Sequence, residues 1–229
     1  MQIDNTKVVY GTEDVLVSLC NSVTRVLNVA TQSRINYSGM VQRITKIGLK
    51  PDIGCFVIFD GGFSGLVVLN FSATTAMEIY EKYMLNMGMP KSELAGSHTA
   101  DEVSNIMGEL MNQIVGDFTG KVRRELQTNI TQNQLKMLVL NKQVVLSVDT
   151  QLDQPETRRV TFCTGKNNIF YLELAIDRTE FIKLHDFEVN EAINPDEVLA
   201  QANAAGAEGP AAAPEANTDQ DELLKSLGM

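Results

Sequence analysis

The 229-residue chain has no tryptophan, only two histidines and only three cysteines, and each scarcity removes a class of chemistry. Cys20, Cys55 and Cys163 are odd in number, far apart and never in a Cys-x-x-Cys spacing, so neither a disulfide scaffold nor a zinc site is indicated. His98 and His185 share no ligand spacing, which leaves no basis for a histidine triad or a structural metal. No run approaches the roughly 18 apolar residues of a membrane span, and no basic-then-apolar leader opens the chain. The cytoplasm is therefore the expected compartment. Gly61, Gly62 and Gly65 lack the Lys-Ser/Thr of a nucleotide loop and read as turn glycines. Basic residues are nowhere concentrated. Of 29 acids, ten lie between Asp186 and Met229 against a single base, Lys225, and they account for most of the formal charge of −10. Such a tail repels nucleic acid and anionic lipid, so neither is an expected partner.

What is present is ample apolar material, 44% of residues with ten methionines, arranged in helical and strand periods. Thr12 to Val29 carries Val15, Leu19, Val23 and Val26 at helical spacing, with Thr12 as its expected cap. Gln32 to Ile47 alternates loosely, as one or two strands. Gly54 to Phe59 and Gly65 to Phe71 are β-rich runs joined across Asp60-Gly61-Gly62, a hairpin-type turn that puts Cys55, Val57 and Phe59 on one side. Phe56, Phe59, Phe63 and Phe71 read as sheet core. Ser72 to Met87 is a second helix, capped by Ser72 and ended by Gly88 and Pro90. A polar loop through His98 and Thr99 leads to a long helix over Asp101 to Lys121. Thr128 to Gln134 is a polar run with no evident role, read as a loop beside that helix. Lys136 to Asp149, Arg158 to Cys163 and Asn168 to Ile176 read as three strands, with turns at Asp153–Pro155 and Gly165–Asn167. The order helix, three strands, two helices, three strands predicts an α/β (α+β) domain: a mixed or antiparallel sheet with long helices packed on it. Its two halves repeat a helix plus three strands.

That folded unit is expected over residues 1–187. Residues 188–218 read as a flexible acidic tether, because from Ala200 the chain holds no aliphatic residue larger than alanine and cannot bury enough surface to offset ordering itself. Residues 219–229 regain Leu223, Leu224, Leu227 and Met229 at helical spacing. So short a helix is unstable alone and is expected to fold on a partner.

The long helix carries the chemistry. At 100° per residue, Glu102, Asn105, Glu109, Asn112 and Gly116 fall within an arc of about 80°, opposite Val103, Met107, Leu110, Met111, Ile114 and Phe118. Glu109 and Asn112 sit on adjacent turns, with Cβ atoms roughly 5–6 Å apart. A solvated helix face is the plain reading of such a row. Asparagine is a mediocre helix former, however, and a carboxamide offers donors and an acceptor on one rigid group, so it can hold a water without any shifted pKa.

GELMNQIVG, residues 108–116, resembles the Glu-x-x-Asn helix signature of the chemotaxis phosphatase family that includes CheC and CheX, and the element order from Thr12 to Ile176 is similar to that family's fold. The resemblance implies that Glu109 pairs with the active-site lysine of a phosphorylated CheY-like receiver domain and that Asn112 positions the attacking water. Glu102 and Asn105 become flanking contacts on the same polar face. The Mg2+ ion belongs to the partner regulator, and the chain needs no cofactor of its own. Two departures stand out. Asn105 occupies a place where some members carry Ser or Asp. A proline common downstream of the asparagine is missing: none occurs between Asn112 and Pro155, and Gln134 stands near its place.

DELLKSLGM, residues 221–229, is similar to the last residues of CheZ, an unrelated all-helical phosphatase of the same regulator, whose terminal helix docks on it. Asp221 and Glu222 match its acidic pair, and Leu223, Leu224, Leu227 and Gly228 its apolar pattern. Lys225 replaces an acid and Met229 an aromatic ring. The resemblance implies dephosphorylation of a receiver's aspartyl phosphate. The alternative is a non-catalytic adaptor of the chemotaxis or flagellar-switch type, which the missing proline favours. By the same analogy the chain would form a homodimer through an exposed strand edge, and a soluble homodimer of unrelated role is the blandest reading.

Overall fold

The computed structural model describes residues 8–140, 142, 144, 145 and 155–184. The expected tether over 188–218 and the peptide Asp221, Glu222, Leu223, Leu224, Leu227 and Met229 lie outside the described residues. In chain order the elements are β1 (Val9–Tyr10), α1 (Thr12–Thr31), β2 (Asn36–Arg43), β3 (Gly48–Leu49), β4 (Ile53–Gly61), β5 (Gly65–Phe71) and α2 (Ala73–Asn86). A 3-10 turn at Lys91–Glu93 precedes α3 (Asp101–Leu126), followed by β6 (Ile130–Gln132), β7 (Lys136–Val139), β8 (Val144–Val145), β9 (Pro155–Cys163), β10 (Ile169–Asp177) and β11 (Phe181–Ile182).

One antiparallel sheet runs β2-β9-β10-β5-β4, and both β6 and β7 pair with β4 along its far edge. The order is the same from either edge. β2 and the β6–β7 segment are outermost, β9 and β4 come next, and β10 and β5 meet at the centre. Each edge strand lies beside a strand of the other half, so the two α-plus-three-strand units interlock instead of standing side by side. The internal duplication expected from the element order is thus visible in the topology.

Alternation decides which face is covered. Ile53, Cys55, Val57 and Phe59 of β4, Val67, Leu69 and Phe71 of β5, and Phe170, Leu172 and Leu174 of β10 all enter one core with the buried sides of α1, α2 and α3. Burying each Phe or Leu there contributes about 1.5–3 kcal/mol. Phe71, Phe170 and Phe162 stack in series at 5.0 and 4.9 Å, tying three strands together through their rings. Phe56 turns the other way and packs with Ile47, Leu49 and Val68 in a smaller cluster on the opposite face.

Helix ends follow local chemistry. Asp14 Oδ2 accepts a hydrogen bond from Gly11 N–H at 2.8 Å, so α1 is capped from Gly11, and Thr12 is its first residue and not its cap. Ser72 Oγ accepts from Thr75 N–H at 3.2 Å, as the sequence predicts for α2. The last strand region differs most from expectation. Where one strand is expected over Lys136 to Asp149, the described residues form two, Lys136–Val139 and Val144–Val145. Pairing begins earlier, at Ile130, because Ile130 is buried and β6 closes the ladder opposite Phe59–Gly61. β7 then resumes opposite Ile53–Phe56, and β8 leaves the main sheet to pair with β3. The glycines at the β4–β5 turn are required by crowding: a Cβ on Gly62 would lie 1.8 Å from Thr128 Oγ1, and one on Gly61 2.3 Å from the Asn129 carbonyl oxygen. That close approach locks the end of α3 and the start of β6 onto the hairpin.

Three polar ties fix the framework, two of them on the buried carboxylates of Glu78 and Glu173. Glu78 of α2 accepts from Thr164, Asn168 and Lys82, which clamps the β9–β10 turn to the helix. Glu173, fully buried on β10, accepts from Arg159 Nε at 2.8 Å and from Gly48 N–H at 3.1 Å, with Lys50 Nζ at 3.9 Å, and so holds β3 across the sheet. Asp117 of α3 accepts from Arg25 Nε of α1 at 3.2 Å and pairs with Lys121 Nζ at 3.4 Å.

Candidate functional site

α3 buries Val103, Met107, Leu110, Met111, Ile114, Val115, Phe118 and Val122, and this fixes its rotation about the helix axis. Glu102, Asn105, Glu109 and Asn112 consequently lie on the exposed side. Asp101 and Glu102 occupy its first turn and Arg123 and Arg124 its last, charges that complement the helix dipole. The polar row is thus held rigidly by a 26-residue helix that is anchored through its apolar side.

Glu109 is not free to wander. Gln113 Nε2, one turn on, donates to Glu109 Oε1 at 3.0 Å. One carboxylate oxygen is committed within the helix, and Oε2 remains open to a cation from outside. Sequence reading passed over Gln113, although its i,i+4 spacing from Glu109 was the available signal. Among the described residues, the Asn105 and Asn112 side chains make no hydrogen bond, so both present donors and an acceptor to solvent.

Glu109 and Asn112 line an open groove of about 500 Å³, together with Ser104, Asn105 and Gly108 on α3 and Gln132, Asn133, Gln134, Leu135 and Met137 opposite. The second wall is the break between β6 and β7. Asn133 N–H donates to the Ile58 carbonyl at 2.9 Å, so even the break is tied to β4. The wall reaches α3 at Gly108, where an added Cβ would find Met137 Cε at 3.5 Å and Leu135 Cδ2 at 3.8 Å. The polar run Thr128 to Gln134 therefore acquires a place: part of it is β6, and its amides form a side of the groove. Glu102, in the first helical turn, is not among the groove residues.

No lysine or arginine is among the residues that line the groove, and the nearest ammonium on its wall, Lys136 Nζ, is bonded to Gln134 Oε1 at 2.9 Å. A free phosphate dianion entering it would meet one carboxylate and several neutral amides. Among the described residues, no group of three or more His, Cys, Asp or Glu is placed to hold a metal ion. Burial pushes the Cys20 and Cys55 thiols up to about 12, so neither supplies a thiolate nucleophile at neutral pH.

The duplicated half offers a different surface. Thr12, Leu16, Leu19, Cys20, Val23, Leu27 and Thr31 of α1 are buried with the same spacing as Val103, Met107, Leu110, Met111, Ile114, Phe118 and Val122 of α3. In that register Ser18 and Asn21 stand where Glu109 and Asn112 do. Tyr37 Oη donates to Asn21 Oδ1 at 3.0 Å, occupying its acceptor, and the carboxylate is missing. The Glu/Asn pair belongs to one half only.

Residues 6–229 match the family model described as "Protein of unknown function (DUF3334)". Among curated protein sequences nothing matches the chain. Among solved structures it is similar to the chemotaxis protein CheX from Desulfovibrio desulfuricans, with a TM-score of 0.57 and 15% identity over 71% of this chain and 99% of that one. It is similar to a CheC-like superfamily protein from Shewanella sp. PV-4, with a TM-score of 0.58 and 16% identity over 71% of this chain and 97% of that one. A third likeness is to the CheX–CheY–BeF3–Mg2+ complex from Borrelia burgdorferi, with a TM-score of 0.53 and 14% identity over 72% of this chain and 99% of that one. At such identity the likeness establishes the fold: an antiparallel sheet with helices packed on it, of the CheC/CheX type. Among the described residues no helix is long and apolar enough to cross a membrane.

Proposed function

The chain belongs to the DUF3334 family, and from that premise we propose that it dephosphorylates the aspartyl phosphate of a CheY-like receiver domain. The observation that carries this reading is the exposed Glu109/Asn112 pair on a rigid helix, in a groove with no lysine or arginine among its lining residues. An aspartyl phosphate is an activated acyl phosphate, so its hydrolysis is chiefly a matter of positioning and electrostatics. Asn112 Oδ1 accepts from a water and turns its lone pair toward phosphorus. The O–P bond forms in line as the bond to the aspartate oxygen breaks, and the water's proton leaves with inorganic phosphate. Glu109 Oε2 receives the regulator's lysine in a charge-assisted bond. A groove lined by amides and one carboxylate, with no lining lysine or arginine, suits a phosphoryl group that arrives already neutralised by the partner's own Mg2+ and lysine. That one of the similar structures is a CheX–CheY complex supports the partner class.

In this reading residues 1–187 form the phosphatase domain, 188–218 a tether and 219–229 a CheZ-like docking peptide, with Asp221, Glu222, Leu223, Leu224, Leu227 and Met229 meeting the regulator. A flexible tether of that kind gives effective concentrations of about millimolar. The second reading, a non-catalytic adaptor, has one specific observation in its favour: Gln134, on the groove wall, stands near the place where the CheC/CheX-type phosphatases commonly carry a proline. Phosphate release from phosphorylated receiver domains, with and without the chain, separates the two. Acceleration supports the enzyme, and binding without acceleration supports the adaptor.

A further inference from the structure

The groove has a second wall that the reaction just described does not use. Gln132, Asn133 and Gln134 face Asn105, Glu109 and Asn112 across it, so five of its seven polar side chains are carboxamides. Three observations make that wall a built surface. Its backbone is tied at Asn133 N–H to the Ile58 carbonyl, at 2.9 Å. Its apolar feet, Leu135 and Met137, rest on α3 where Gly108 has no side chain. Lys136 Nζ donates to Gln134 Oε1 at 2.9 Å, which occupies the amide's acceptor and leaves the Nε2–H groups as its outward-facing function. Among the described residues, the Gln132 and Asn133 side chains make no hydrogen bond, so their amides are open as well.

A carboxamide pairs with the peptide group, matching its N–H and C=O with an acceptor and donors of its own. Charge-based recognition would place free lysine or arginine along the groove; no lysine or arginine is among its lining residues, and Lys136 at the wall is engaged by Gln134 Oε1. Resting on the phosphatase reading, we propose that Gln132–Gln134 clamps the main chain of the receiver loop that borders the phosphorylated aspartate. Gln134 Nε2 donates to a loop carbonyl. The loop is then held by backbone contacts on one side of the groove and by its lysine on Glu109 at the other. Such a clamp is indifferent to the loop's side chains, so receivers that differ in loop sequence dock alike, and it is insensitive to ionic strength, unlike the Glu109 contact.

The discriminating variant is Gln134→Glu, which keeps shape and size but replaces the outward N–H donors with a carboxylate oxygen. Beryllofluoride-activated, Mg2+-loaded receiver domains of the organism that encodes the chain serve as binding probes, and the same domains carrying the aspartyl phosphate serve for turnover. Dissociation constants and phosphate-release kinetics are measured for the full chain and for Gln132→Ala, Gln134→Ala, Gln134→Glu and Asn112→Ala. Each alanine variant is expected to raise Kd and KM roughly fivefold with kcat unchanged, the loss of one net hydrogen bond, at low and high salt alike. Gln134→Glu should raise them further. The residues are exposed, so thermal stability stays constant and folding is not the cause. If Gln134→Glu and both alanine variants bind and turn over as the parent does, while Asn112→Ala loses turnover, the clamp is overturned and the phosphatase reading stands. If no receiver domain binds the parent chain, both fall.

Discussion

Gly116 lies inside α3, exposed, on the polar arc one turn beyond Asn112, and an added Cβ there meets nothing within 4 Å. A glycine inside a helix costs about 0.8–1.0 kcal/mol relative to alanine, because it loses more backbone freedom on folding. With open space around the position, Gly116→Ala should recover that amount in full. In a domain of this size about 1 kcal/mol corresponds to a rise in Tm of roughly 2–4 °C. The retained glycine is explained if a partner's surface comes against the helix backbone at this point. An added methyl group would then hold that surface away from Asn112. Urea denaturation and receiver titration are the paired assays. The expected outcome is a more stable protein that binds the phosphorylated receiver more weakly. Gly108→Ala serves as the contrast. It gains the same propensity and meets Met137 and Leu135 at ordinary contact distance, so it should be at least as stabilising. Were Gly116→Ala stabilised with receiver binding intact, the close-approach argument would be refuted. A destabilised variant would refute the geometry of α3 at that turn.

Three further outcomes follow from the buried ties and the tail. Burial raises the pKa of Glu78, but the bonds from Lys82, Thr164 and Asn168 outweigh it, and the net shift is downward from the ordinary 4.5. A depressed carboxylate stabilises the fold above its unfolded value and loses that contribution as pH falls through the folded one. Gln at this position should therefore cost about 1.5–3 kcal/mol at neutral pH, with the deficit closing in acid below pH 4.5, as read by denaturant melts across that range. Glu173→Ala strands Arg159, Lys50 and the Gly48 N–H, and should cost about 3–5 kcal/mol in the same assay; a loss under 1 kcal/mol would show that the cluster is not cohesive. Deleting 219–229 should raise KM for the phosphorylated receiver with kcat nearly kept, and an unchanged KM would remove the docking role of that peptide.

How much of this was legible in the sequence depends on the range of the interactions that decide each feature. α2, β5 and the exposed row on α3 follow from local period and caps, and the structure places them where the sequence does. The strand ends did not, because Ile130–Gln132 is a strand only by pairing with Phe59–Gly61, some seventy residues earlier, a contact absent from its own polar composition. The short pairs β1–β11 and β3–β8 are likewise made by partners remote in sequence. At the site, the helix row was readable as a 3.6-residue period. The groove's second wall was not, since TNITQNQ reads as a loop until β4 organises it. Gln113 was readable and overlooked. Its amide lies four residues from Glu109, one position beyond the Glu-x-x-Asn unit, whose members are three apart, and at that spacing the two side chains still meet on one helix face.

The account rests on a carboxamide that orients water for a phosphoryl group held by another protein. The most direct test is the rate of phosphate release from a phosphorylated receiver domain, measured with the parent chain and with Asn112→Ala at saturating concentrations. The account predicts that the parent accelerates release, while the variant binds with a similar Kd and leaves the receiver at its intrinsic rate. A variant that accelerates release as well as the parent would contradict it.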